Sequence, residues 1–256
     1  MNKLALTHIG GPTAFFKLGG WTFLTDPTFD PPQEYPTPAG TLVKTSGPAV
    51  ELADLPGVDV VLLSHDEHAD NLDNSGRKLV ESGGCTVFGT PEAAGRIPAV
   101  TGMSAWEETT LQAAGKQDLT ITAVPALHGP EGCEPVTGTV TGFVLSGADL
   151  PTVYVSGDNA SVAVVGTIAE RFAPVDVAVL FTGAARIGIF DNAPLTLTAG
   201  AAAEAAAKLQ TPAVVPVHAE GWTHFSEGHK ELRTEFAGKG LGDSLRIPTP
   251  GQELVL

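Results

Sequence analysis

The sequence predicts an α/β protein made of two β-sheets packed face to face with helices outside. Three observations carry this: a strand-turn-strand beginning, short apolar runs that alternate with helical patterns afterwards, and four polar clusters that each follow an apolar run. At 256 residues with 43% hydrophobic content, the chain can bury a large core. It shows no repeat, low-complexity tail or linker, so one domain over residues 1–256 is expected.

The first 25 residues read as a meander, with strands at 4–7, 14–18 and 21–24 between the turn signals Gly10-Gly11-Pro12 and Gly19-Gly20. A Pro-rich stretch, 27–48, shows no period and reads as a functional loop. Residues 58–63 are uniformly apolar, as a strand buried on both faces requires, and they deliver the chain onto Ser64-His65. Further strands are expected at 86–88, 119–124, 140–145, 152–155, 175–180 and 214–217, and helices at 162–172, 198–209 and 226–236. The Ala-rich helix over 199–209 reads as a close-packing element on the surface.

Composition narrows the partners. Twenty-nine acidic against 14 basic side chains give a formal charge of −15 with no Lys/Arg cluster, which argues against nucleic acid and anionic lipid. No apolar stretch reaches membrane-spanning length, and Met1-Asn2-Lys3-Leu4 runs straight into a strand without a leader pattern. Cys85 and Cys133 are far apart and read as ordinary thiols in a reducing compartment, so a cytoplasmic location is expected. Self-association is left open.

The chemistry lies in the four polar clusters, because groups at strand ends converge on one sheet edge. The first, Ser64-His65-Asp66-Glu67-His68-Ala69-Asp70-Asn71, mixes neutral nitrogen and anionic oxygen donors as divalent metals prefer. The second places His128 between Leu127 and Gly129-Pro130. The third ends a strand in Ser156-Gly157-Asp158, where Asp158 reads equally as a ligand or as a helix cap. The fourth is Val217-His218 followed by Trp222-Thr223-His224-Phe225.

Taken in order, these clusters resemble the metallo-β-lactamase superfamily, and within it the branch related to L-ascorbate 6-phosphate lactonase. The resemblance extends to Thr7-His8-Ile9-Gly10-Gly11-Pro12-Thr13 and Leu24-Thr25-Asp26-Pro27. It implies an αββα sandwich with a metal cluster held by His65, His68, Asp70, His128, Asp158 and His218. His68 and His128 would fall in a first metal site, Asp70 and His218 in a second, and Asp158 between them. The implied cofactor is one or two divalent ions, zinc by its donor set, with Mn²⁺ or Mg²⁺ suited to the second position.

Several positions depart from the family pattern. Either His65 or Asp66 can fill the first ligand position, depending on one inserted residue, with His65 preferred. Asn71 stands where the family has a ligand His, which weakens the second site unless His224 joins it; His224 otherwise reads as a residue in the first turn of the closing helix. Gly11 replaces a His common in the branch, so the branch's substrate does not transfer. His8 is expected in the core, Asp26 reads as an orienter of a ligand His or equally as a turn former, and His229 is expected on the surface. Arg186 reads as either an anion grip or a structural residue, the latter favoured.

The resemblance implies a hydrolase in which metal-bound hydroxide attacks an ester, lactone, amide or phosphoester of a small molecule, with Asp70 as the catalytic proton carrier. The alternative is a metal-binding or ligand-sensing protein of the same fold that has lost turnover. No nucleophile elbow, P-loop or dinucleotide-binding glycine motif supports another enzyme class.

Overall fold

The computed structural model describes residues 4–37 and 40–256. Residues 1–3 of the N-terminal reading, and Pro38 and Ala39 within the Pro-rich stretch, lie outside them. The chain opens with β1 (Ala5–Gly10), β2 (Thr13–Leu18), β3 (Trp21–Thr25), the hairpin β4 (Gln33–Thr37) and β5 (Gly40–Lys44), then β6 (Val60–Leu62). Next come α1 (Asn74–Glu81), β7 (Thr86–Gly89), α2 (Pro91–Arg96), β8 (Val100–Gly102), β9 (Glu108–Leu111) and β10 (Leu119–Pro125). The second half holds α3 (Glu134–Thr137), β11 (Thr141–Ser146), β12 (Val153–Val155), α4 (Val162–Phe172) and β13 (Val177–Phe181). It ends with α5 (Ala199–Leu209), β14 (Ala213–Val217), α6 (His229–Gly238) and β15 (Glu253–Val255).

Among the described residues, one sheet runs β15-β1-β2-β3-β6-β7-β8 and the other β14-β13-β12-β11-β10-β9. Strand alternation sorts their side chains into three layers. Phe16, Phe23, Val60, Leu62, Ile121, Phe143, Val155, Val179 and Val217 meet between the sheets. The alternate residues Phe15, Leu24, Val61 and Leu63 pack outward against Val80 of α1 and Ala93 of α2. On the other side, Val144, Tyr154, Ala178, Leu180 and Val214 pack against α4, α5 and α6. This is the expected αββα sandwich. Phe16 stacks on Phe23 with ring centroids 5.1 Å apart, and truncating it to Ala would cost about 3–5 kcal/mol.

The structure departs from the sequence reading in several places, among them the short elements β8, β9, α3 and β15, which were not expected. The stretch 27–48 is not an aperiodic loop: it carries β4 and β5, paired from Gln33↔Lys44 to Thr37↔Gly40. A two-stranded hairpin has only edge strands, so Pro36 is tolerated where a central strand would exclude it. Its base is anchored by Lys44 Nζ, 2.9 Å from Asp73 Oδ2, a pair almost completely buried. The closing helix starts at His229 rather than 226, because the Ser226 and Glu227 N–H groups donate to the Gly183 carbonyl. Helices α1 and α2 were not anticipated, although Asp73 and Thr90 cap them in the ordinary way.

Topology brings the four clusters to one edge. β3 and β6 are parallel, as are β12, β13 and β14, and β10 runs with β12 because both are antiparallel to β11. The C-terminal ends of β3, β6, β10, β12 and β14 therefore open toward the same side, carrying Asp26, Ser64-His65, His128, Asp158 and His218.

Candidate metal centre

Three histidines form one half of the cluster. His65 Nε2 lies 2.8 Å from His68 Nδ1, and His128 Nε2 lies 3.2 Å from the same atom. The far side of each of two rings is fixed. His128 Nδ1 donates to the Leu195 carbonyl at 2.7 Å, which leaves its Nε2 lone pair facing inward. The Ser64 hydroxyl donates to Asp26 Oδ2 at 2.6 Å and sits 2.9 Å from His65 Nδ1, so it accepts from that nitrogen. Burial first, and then neighbouring His68, hold His65 well below the ordinary imidazole range. Burial likewise lowers His128 against the pull of Asp158. Both therefore keep their lone pairs at neutral pH.

The other half is anionic. His218 sits between two carboxylates, with Nδ1 2.9 Å from Asp158 Oδ1 and Nε2 3.3 Å from Asp70 Oδ2. Asp158 Oδ2 lies 3.6 Å from His128 Nε2, so this carboxylate faces both halves. Burial alone would push His218 down, but Asp158 and Asp70 outweigh it and raise the imidazole to about 10. Burial would raise Asp70 and Asp158, yet their imidazole neighbours hold both below the usual carboxylate range.

These residues fit a divalent cation. His65, His68 and His128 form one group, and Asp70, Asp158 and His218 another, with the ligand atoms of each group within 4.8 Å of one another. Both Asp158 oxygens and both His218 nitrogens are buried without a hydrogen bond, since their close approach is not aligned as one. Buried charges left so are costly unless a cation completes them. His218 has φ +56°, a strained value for a non-glycine residue, and its ring is wedged against Phe181 and Phe225. Gly157 is required next to Asp158: a Cβ there would meet the Thr141 carbonyl at 2.5 Å and Ser64 Cβ at 2.9 Å.

The departures from the family pattern now have places. Asp66 points away from the cluster, its carboxylate taken by Arg96 Nε at 3.0 Å and by Arg77, whereas His65 is inside it. Asp158 does not cap α4; Ser161 does. Asn71 is buried, donates from Nδ2 to Asp26 Oδ2 at 3.0 Å, and leaves Oδ1 without a partner. His224 is not in the closing helix: it lies in the loop before it, with Nε2 3.0 Å from Asp70 Oδ2. At Gly11 a Cβ would stand 3.2 Å from the Trp222 indole nitrogen, so Trp222 crowds the place of the branch's His. His8 is buried and bonds the Gly11 carbonyl, outside both groups. Asp26 holds Ser64 through both its hydroxyl and its N–H, the orienting position expected of it. His229 is the first residue of α6 and half-buried.

The cluster floors a cavity of about 310 Å³ lined by His68, Asp70, His128 and His224 together with Leu42, Val136, Ala185, Ile187, Ile189 and Leu195. Sequence reasoning did not find the contributions of Val136 or Leu195. Val136 sits on a four-residue helix too short to show a period, and Leu195 acts partly through its backbone carbonyl, which no side-chain pattern reveals.

Comparisons with known proteins bear on the chain's family and fold. A metal-dependent hydrolase of Anaeromyxobacter sp. is 28% identical over 240 residues, covering 84% of this chain and 80% of that protein. One of Pyrococcus abyssi is 27% identical over 209 residues, covering 79% of this chain and 84% of its own. The crystal structure of isothiocyanate hydrolase from Delia radicum gut bacteria superposes with a TM-score of 0.82 at 23% identity, covering 98% of each chain. The family model described as the beta-lactamase superfamily domain matches residues 22–219, most of the chain, and with the αββα sandwich around a His/Asp cluster this chain belongs to the metallo-β-lactamase superfamily.

Proposed function

We propose that the chain acts as a single-domain, metal-dependent hydrolase of small molecules, with His65, His68, Asp70, His128, Asp158 and His218 as its ligand set. The observation that carries this reading is the pair of ligand groups, bridged by Asp158, on the floor of the cavity. A divalent cation bound there supplies a Lewis acid for the scissile group and an ionised water near neutral pH. Leu195 and the Asp26–Ser64 pair keep two imidazoles in the tautomer that donates inward. Asp70, ionised and bordering the cavity, takes the proton of the attacking water and returns it to the leaving group. His224 orients Asp70 through its 3.0 Å contact.

Zinc fits the three-histidine half; the oxygen-rich half suits Mn²⁺ or Mg²⁺ equally. The lactonase-like assignment rests on the entry and Ser-Gly-Asp motifs, and Gly11 argues against transferring that branch's substrate. The direct test is elemental analysis and an anomalous-scattering map of the purified protein, followed by an ester, lactone, amide, phosphodiester and isothiocyanate panel with and without chelator. We expect bound metal and chelator-sensitive turnover. Metal without turnover on any class would favour the sensing alternative, and no metal would overturn the ligand set.

A further inference from the structure

We infer that the substrate is a small uncharged molecule that lays an apolar body against the cavity wall and carries its hydrolysable bond at the end nearest the cluster. This rests on the hydrolase reading and narrows it. Away from the cluster, the wall is mostly apolar, formed by Leu42, Val136, Ala185, Ile187, Ile189 and Leu195, and the hydroxyls of Thr37 and Thr137 beside them donate to the Gly40 and Cys133 carbonyls. Val136 is 62% exposed, one of the few large hydrophobic side chains left in solvent, and it extends the apolar wall to the mouth. A cavity of about 310 Å³ suits a phenyl ring or short alkyl chain with one functional group.

The charges point the same way. Among the described residues no Lys or Arg lines the cavity, and the charged lining side chain outside the cluster is Glu67, whose carboxylate is paired with Arg96. Nearby cations are committed elsewhere. Lys44 is buried against Asp73, and Arg77 and Arg96 hold Asp66. Arg186 opens onto the adjoining depression, where Nε donates to Ser226 Oγ at 3.2 Å and Nη1 donates to the Asn192 carbonyl. A phosphate or carboxylate on the substrate body would thus be desolvated against leucine and isoleucine, beside the Glu67 carboxylate and with no lining cation to pair with.

Matched probes test this. Binding of N-benzylacetamide and of its para-carboxylate is followed by saturation-transfer NMR on metal-loaded and chelated protein. Turnover of 4-nitrophenyl butyrate is compared with that of mono-4-nitrophenyl succinate, which ends the same acyl length in a carboxylate. We expect the neutral amide to bind at least roughly tenfold tighter in both protein states, and the neutral ester to lead by roughly 100-fold in kcat/KM. Ile187→Lys should shrink both ratios about tenfold with metal content unchanged, and Val136→Lys, at an exposed site that cannot unfold the protein, should do so more weakly. Equal or tighter binding of the carboxylate, or ratios untouched by both variants, would overturn the inference. If no bond class of the panel turns over while the amide keeps its preference, the binding selectivity stands and the hydrolase reading falls; turnover that favours the succinate overturns the inference and leaves the hydrolase reading standing.

Discussion

The two halves of the cluster share a floor but solve opposite problems. The His65/His68/His128 half gathers imidazole nitrogens, and burial together with neighbouring imidazoles suppresses the protonation of His65 and His128. In the Asp70/Asp158/His218 half, burial works against the ionised carboxylates and is overcome by the imidazoles around them. The first half is thus preset for a borderline cation and the second for charge neutralisation. Asp158, with one oxygen toward each, couples them. On the proposed reading the nitrogen half carries affinity alone while Asp70 in the oxygen half also carries the proton, so variants of the two halves can separate the roles.

The largest separation is expected between His128→Ala and Asp70→Asn. Losing His128 should remove the metal of the nitrogen half and abolish turnover, read by elemental analysis; unchanged metal content would mean that the ligand set is wrong. Asp70→Asn should keep that ion while lowering kcat about 10²–10⁴-fold, because a proton carrier is lost from the oxygen half. A drop in metal as severe as that of His128→Ala would erase the distinction between the halves.

Ser64→Ala probes how the nitrogen half is held. Without the hydroxyl between Asp26 and His65, the ring loses its orienting acceptor, and metal affinity should fall about 10–100-fold in a competitive chelator titration. The equivalent change on the oxygen half is Asn71→His, which restores an imidazole where the family pattern has one. It should tighten retention of a second ion by about tenfold, read as metal stoichiometry after dialysis.

How much of this was legible in the sequence follows from the kind of information each element carries. The strands that feed the site were readable because β6, β12 and β14 are apolar on both faces and, like the largely apolar β10, each runs into a polar cluster. His68, His128, Asp158 and His218 were readable for the same reason. The choice between His65 and Asp66 was not, because their difference is one of direction within a loop, and Arg96, which claims Asp66, is 30 residues away. His224 was misread as helical because the Ser226 and Glu227 amides bond to Gly183, a tertiary event with no local signature. The β4–β5 hairpin was hidden by prolines and by an anchor, Lys44 on Asp73, that joins distant segments.

The smallest effect sharpens the comparison at its most ambiguous residue. Burial alone would raise the Asp66 carboxyl, but Arg96 and then Arg77 outweigh it and hold the group below its ordinary value. A value lowered in the folded state means that the unfolded chain takes up the proton first as pH falls. The pair's contribution is therefore complete above about pH 4 and lost as the pH drops through the lowered value. Because Arg96 is 44% exposed, solvent screening limits that contribution to about 0.5–1 kcal/mol. Asp66→Asn should accordingly be slightly less stable than the parent by denaturant titration near neutrality, with the difference closing as the pH falls below the ordinary carboxylate range, and with full metal content at neutral pH. Retained stability with lost metal would put Asp66 back in the ligand position and His65 outside it, and the nitrogen half would no longer be purely nitrogen.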